Sequence, residues 1–133
     1  MRSPRLFDLL AAAAIATPAL AGVALWPALP AEMAIHWSGG VADSVVARPL
    51  AVLGIPAFGV ATLAATRLLP DSLTNTPGGE NVTVVLVGVV FAAAETLVLL
   101  RNLGVAVDVW LVVGPAVALV LVVALADRFG VLG

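Results

Sequence analysis

Residues 82–100 read VTVVLVGVVFAAAETLVLL, and the number of membrane spans turns on Glu95 within them. The uncharged part of this region, 81–94, is too short to cross a bilayer, because about 30 Å of hydrocarbon takes roughly 20 mostly apolar residues. With Glu95 admitted the stretch is long enough. The other uncharged runs, 9–31, 49–66 and 109–126, are long enough or nearly so unaided. The sequence therefore predicts an all-α integral membrane bundle of four transmembrane helices, at about 7–28, 49–69, 82–101 and 108–127. The runs are continuously apolar and rich in Ala and Leu, without the alternation that a membrane β-barrel needs.

Composition agrees. The chain is 62% hydrophobic and 11% charged, with mean hydropathy +1.18, where a soluble domain carries about 25% charged residues. Residues 1–133 read as a single membrane domain with no room for a separate soluble one. The net charge is −2, and the six basic residues are all arginine, so no basic patch exists for nucleic acid. The absence of cysteine excludes disulfides, a thiolate nucleophile and a cysteine metal site. High Ala, Val and Arg usage without lysine fits a GC-rich prokaryotic genome.

The first helix admits a second reading. Arg2 and Arg5 precede the apolar run, and Ala19-Leu20-Ala21 before Gly22 has the form of a signal-peptide cleavage site. The run continues through Trp26 to Ala31, longer than a usual signal core, which favours a retained helix. With the N-terminus inside, Arg2, Arg5, Arg67 and Arg128 face the cytoplasm and Arg48 and Arg101 face out. That bias favours a multi-pass protein of the cytoplasmic membrane with both termini inside. Trp26, Trp37 and Trp110 then share the outer interface, where an indole keeps its ring among headgroups and its N–H wet.

Small-residue stripes offer close helix approach: Ala13, Thr17 and Ala21; Ala57, Ala61 and Ala65; Gly88, Ala92 and Thr96. Pro18, Pro56 and Pro115 fall within spans, and each removes a backbone hydrogen bond. Residues 70–81 read as a turn-rich loop.

Between the first two spans lies a polar segment, 29–43, with the chain's one histidine. His36 is the side chain expected to titrate near neutrality. It reads as a ligand contact, proton sensor or metal ligand, or more plainly as a loop histidine that fixes the segment by hydrogen bonding. Glu32, Asp43, Glu95 or Asp108 could add oxygen ligands, but one histidine without cysteine argues against zinc, and no metal or cofactor is expected. Glu95 is a candidate intramembrane proton or ion site, since a charge in a span costs roughly 2.5–3.5 kcal/mol and turns toward protein or water. The plainer alternative is a carboxyl paired with an arginine or reaching water near the surface. Arg101 follows six residues later, on a different face of the helix. Asp8 and Asp127 are expected to pair with Arg5 and Arg128 or stay solvated, and Asp108 to cap the fourth helix. No Gly-rich phosphate loop, Gly-x-Ser-x-Gly elbow or His-Glu-x-x-His motif occurs, and the four serines lie outside the spans, so the chain is not expected to be an enzyme.

Leu29-Pro30, Ile35-His36-Trp37-Ser38, Gly40, Asp43, Arg48 and Pro56 together resemble an N-terminal domain of unknown function. That domain is found in SdpI-type immunity and signal-transduction membrane proteins. The resemblance covers about residues 9–60. Ser38 stands where the pattern usually has Asn, Ala34 where Pro is common, and the His36–Asp43 gap is one residue shorter than typical. The resemblance implies a role for His36, Trp37, Ser38, Gly40 and Asp43 as a binding loop for a ligand or partner. It also implies protection from a secreted toxic peptide and, in some relatives, capture of a transcriptional repressor at the membrane. The short inner loop and tails offer little surface for a repressor.

The expected function is thus a non-enzymatic membrane module of the SdpI-like immunity or signalling kind. Its expected partners are the lipid bilayer and a secreted peptide or another membrane protein, with a homo-oligomer open. The alternatives are a small proton- or cation-coupled transporter using Glu95, and a structural subunit of a larger complex.

Overall fold

The computed structural model describes residues 4–69 and 80–131. The loop expected at 70–81 lies outside these residues except for its last two positions, which are helical. In chain order the elements are helix α1 (Pro4–Ala24), a 3₁₀ turn (Trp26–Ala28), strands β1 (Glu32–Ser38) and β2 (Val41–Ala47), a π turn (Leu50–Gly54), and helices α2 (Ile55–Leu68), α3 (Glu80–Asn102) and α4 (Val109–Arg128). Four helices are long and apolar enough to cross a membrane: Leu6–Ala24, Leu50–Leu68 (the π turn and α2 together), Asn81–Asn102 and Val109–Arg128. The four expected spans are therefore present, each within a few residues of its expected limits.

Local chemistry sets the ends. α1 stops where Pro27 and Pro30 cannot continue an α-helical ladder, and the chain tightens into the 3₁₀ turn. α3 closes on Gly104, whose φ of 80° is open to glycine without strain. The amide of Val105 donates to the Leu100 carbonyl at 3.0 Å and that of Gly104 to the Arg101 carbonyl at 3.1 Å, a Schellman closure. α4 closes in the same way at Gly130. Asp108 caps α4 as expected, its carboxylate accepting from the Trp110 amide at 3.0 Å.

Two of the three expected stripes face outward. Ala13, Thr17 and Ala21 are exposed, as are Ala57, Ala61 and Ala65. The buried line of α1 is Phe7, Ala11, Ile15, Pro18 and Gly22, and that of the second span is Val52, Pro56 and Gly59. Alanine is so common here that its spacing could not single out the packed face; the larger side chains and the prolines do. Gly88 of the third stripe is buried as expected. A Cβ built on it would lie 2.7 Å from the Ala11 Cα, so α1 and α3 touch backbone to backbone. One on Gly22 would meet Val52 at 2.8 Å and Leu99 at 3.3 Å, and one on Gly59 would meet Phe91 at 2.9 Å. α1, the second span and α3 thus form a three-helix seam. α4 packs on α3 through Val85, Val89 and Val123 and leaves most of its surface outward.

The segment expected as an irregular loop is a β-hairpin. Gly39 and Gly40 have φ of 60° and 83°, the paired positive values of a two-residue hairpin turn. The apolar positions Met33, Ile35 and Trp37 at period two, followed by Gly-Gly, are the signal that identifies it. Met33 is fully buried in a cluster with Leu29, Ala51, Val52, Val98 and Leu99, against which Ile35 and Trp37 also pack. The hairpin is therefore seated on the bundle.

Candidate functional site

The hairpin is held down by two side chains. Asn102, at the end of α3, gives its amide N–H to the Ala34 carbonyl at 2.7 Å and takes the Ala34 amide at 2.9 Å. It saturates both polar groups of one strand residue. Arg48 follows β2 and donates through Nη1 to the carbonyls of Trp26 and Leu29, each at 2.9 Å. Its guanidinium lies 5.0 Å from the centre of the Trp26 ring. The turn after α1 and the strand before the second span are thereby closed on one another.

At the tip, the strand pairing slips twice. Ala34 faces Val45, His36 faces Ser44, and Trp37 faces Ala42. Ile35 and Asp43 are the unpaired residues of the two irregularities. A bulge re-aims the side chain it carries. Here the Asp43 carboxylate receives the Ser38 hydroxyl and lies 2.6 Å from Nδ1 of His36. A carboxylate only accepts, so Nδ1 carries the proton, and the exposed ring keeps Nε2 for a ligand or water. The Ser38 hydroxyl, then the His36 imidazole, hold the Asp43 carboxyl below the usual carboxylate range. Ser38 gives its proton to a carboxylate rather than to an imidazole base, so the trio lacks the arrangement that activates a serine.

Trp37 takes no part in this trio. Its ring lies beneath the guanidinium of Arg101, 5.0 Å from centroid to carbon. Beside the pair is an open cleft of about 520 Å³, lined by Trp37 and Gly40 from the hairpin and by Arg101, Asp108 and residues 104–107 from the end of α3 and its link to α4. An indole face, a cation and a carboxylate thus border one opening. Such a cleft offers apolar contact together with a few polar groups of both signs.

The expected binding residues His36, Trp37, Ser38, Gly40 and Asp43 all lie on the outer half of this one hairpin. His36, Ser38 and Asp43 form one hydrogen-bonded group; Trp37 and Gly40 border the cleft instead. Sequence reasoning did not find Asn102 as the clamp or Arg101 as the partner of Trp37. Neither is close to the hairpin in sequence, and an amide at a helix end carries no motif. Among the described residues no group of three His, Cys, Asp or Glu side chains could hold a metal ion.

Glu95 stands apart from this end. It is 1% exposed, and neither carboxylate oxygen has a hydrogen-bond partner. The plainer expectation, pairing with arginine or reaching water, does not hold, because the buried stripe of α3 carries the side chain into the seam. At the far end of the bundle, Asp8 pairs with Arg67 at 2.8 Å, where the sequence suggested Arg5 or solvent, and Arg67 also donates to Asn81 at 3.0 Å. This one guanidinium ties α1, α2 and α3 together.

No curated protein and no solved structure matches the chain. Residues 13–60 match the family model of a domain of unknown function, DUF1648, over the stretch from mid-α1 through the whole hairpin to the start of α2.

Proposed function

We propose that this protein is a non-enzymatic recognition module of the cell membrane, of the SdpI-like immunity or signalling kind. Its hairpin faces the extracytoplasmic side and meets a secreted peptide there. The observation that carries this reading is the exposed tip of a clamped hairpin beside the Trp37–Arg101 cleft. Asn102 and Arg48 fix the hairpin to the bundle, so His36, Asp43, Trp37 and Arg101 are presented without ordering a loop on binding, which lowers the entropic cost. The reading also draws support from the match at residues 13–60, which contains the entire hairpin, and from the arginine bias, which favours both termini inside.

Sidedness tests it first. The chain has no cysteine, so Val41→Cys on the exposed hairpin and Ser72→Cys between α2 and α3 give single labels. A membrane-impermeant thiol reagent on intact cells is expected to label position 41 and not 72. The reverse pattern overturns an external receptor. Cells producing the wild-type protein should then survive conditioned medium from the source organism better than cells producing Trp37→Ala. Equal survival of the two sinks the role given to the cleft.

A further inference from the structure

Glu95 is used by nothing described above. Its level in the bundle follows from the close contacts of the seam. Ala11 meets Gly88 and Gly22 meets Leu99, so α1 and α3 run in parallel with a constant offset. Seven residues beyond Gly88 is Glu95, and seven beyond Ala11 is Pro18. On the antiparallel second span, Val52 lies near Leu99 and Gly59 near Phe91, which places Pro56 about level with Glu95. Both prolines are buried. Glu95 therefore shares one layer of the seam with the two helix prolines that face inward.

That layer is rich in acceptors and lacks donors. Pro18 has no amide for the carbonyl of Ala14, and in the π register that precedes it Pro56 has none for that of Ala51. The chain widens into the π turn Leu50–Gly54 just before Pro56, the local adjustment such a missing bond produces. Among the described residues no ionisable side chain other than Glu95 faces this layer. α1 carries none between Leu9 and Ala24, the second span none before Arg67, and α4 none between Asp108 and Asp127. Arg67 is engaged with Asp8 at the far end, and Arg101 with Trp37 above. An ionised carboxylate, which only accepts, would be an unpartnered charge among unpartnered acceptors. The neutral acid has one O–H to give.

We propose that Glu95 is a proton-binding site built into the three-helix seam, carried as the neutral acid and donating its O–H to a main-chain carbonyl freed by Pro18 or Pro56. The ligand is the proton rather than a metal cation: among the described residues the layer offers one carboxylate and two freed carbonyls, short of the roughly six to eight oxygens that a calcium ion takes, and sodium is set against the proton in the test below. The site does not depend on what the hairpin binds. It lies one turn below Val98 and Leu99, on which Met33 of the hairpin rests, so losing the proton would place a charge under the hairpin's seat.

The chain has three glutamates, Glu32, Glu80 and Glu95. In full-length protein carrying Glu32→Gln and Glu80→Gln, glutamate labelled with ¹³C at the side-chain carboxyl reports on position 95 alone. In liposomes at pH 6 its resonance is expected at the acid position, where an ordinary glutamate, titrating at about 4.3, would be almost wholly carboxylate. Raising the pH should convert it to carboxylate, and sodium at fixed pH should leave it unchanged. A carboxylate resonance at pH 6, or conversion by sodium, overturns the proposal.

Discussion

Asp43 and Glu95 carry the same chemical group in opposite surroundings. Asp43 sits on an exposed bulge and has two donors. Glu95 is buried in the three-helix seam and has none. At the hairpin, irregular pairing frees side chains to converge, and the carboxylate is stabilised as an anion. In the seam, helical geometry uses up the amide donors, and two prolines subtract from those that remain. The difference shows that a charge in a polar segment can be read as a member of a group, whereas a charge in a span has to be read against the backbone it faces.

The largest effect is expected where the seam itself is broken. Gly88→Leu puts a side chain where a Cβ alone would lie 2.7 Å from the backbone of Ala11, so α1 and α3 must part. The cost is about 3 kcal/mol or more, the upper range of overpacking. Gly114→Leu in α4 is the matched control, because a Cβ there meets nothing within 4 Å. Unfolding in mixed detergent micelles should separate the two variants clearly. Equal stabilities would show that the seam does not hold the bundle and would remove the layer on which Glu95 depends.

A smaller effect is expected from cutting the tie between the two regions. Asn102→Ala leaves both polar groups of Ala34 without their partner, a loss of about 1–3 kcal/mol if they stay buried. The hairpin amides should exchange with solvent faster while those of α1 and α3 keep their protection. Loosening throughout the bundle would mean that hairpin and seam form one cooperative unit.

The spans were legible because hydropathy and length suffice in a bilayer, where only internally bonded backbone is stable. The faces were not. Small residues at i, i+4 spacing are abundant in an alanine-rich chain, and α1 buries Phe7, Ile15 and Pro18 instead of Thr17 and Ala21. The hairpin residues were legible through their resemblance to a known pattern, and their strand character lay in the alternation of Met33, Ile35 and Trp37 before two glycines. Asn102 and Arg101 were not legible, because their role depends on the end of α3 arriving beside a hairpin more than sixty residues earlier in the chain.

The smallest effect separates the two carboxyls by pH. Asp43 has a lowered value in the folded hairpin, so its contribution to order at the tip is fully present above the ordinary aspartate value of about 3.9 and is lost as pH falls through the lowered one. The bonds that Asp43 accepts should thus persist down to mild acid and be lost only in strong acid. Nδ1 of His36 donates in both protonation states, so charging the ring does not by itself break its bond to Asp43. Because the group is exposed, the change belongs to the amides of residues 36–44 rather than to global stability. Asp43→Asn should abolish the acid step in their chemical shifts, since nothing at the tip then changes charge in that range. An identical step in the variant would assign it elsewhere in the chain, and the carboxylate that organises the hairpin would lose its place as the counterpart of Glu95.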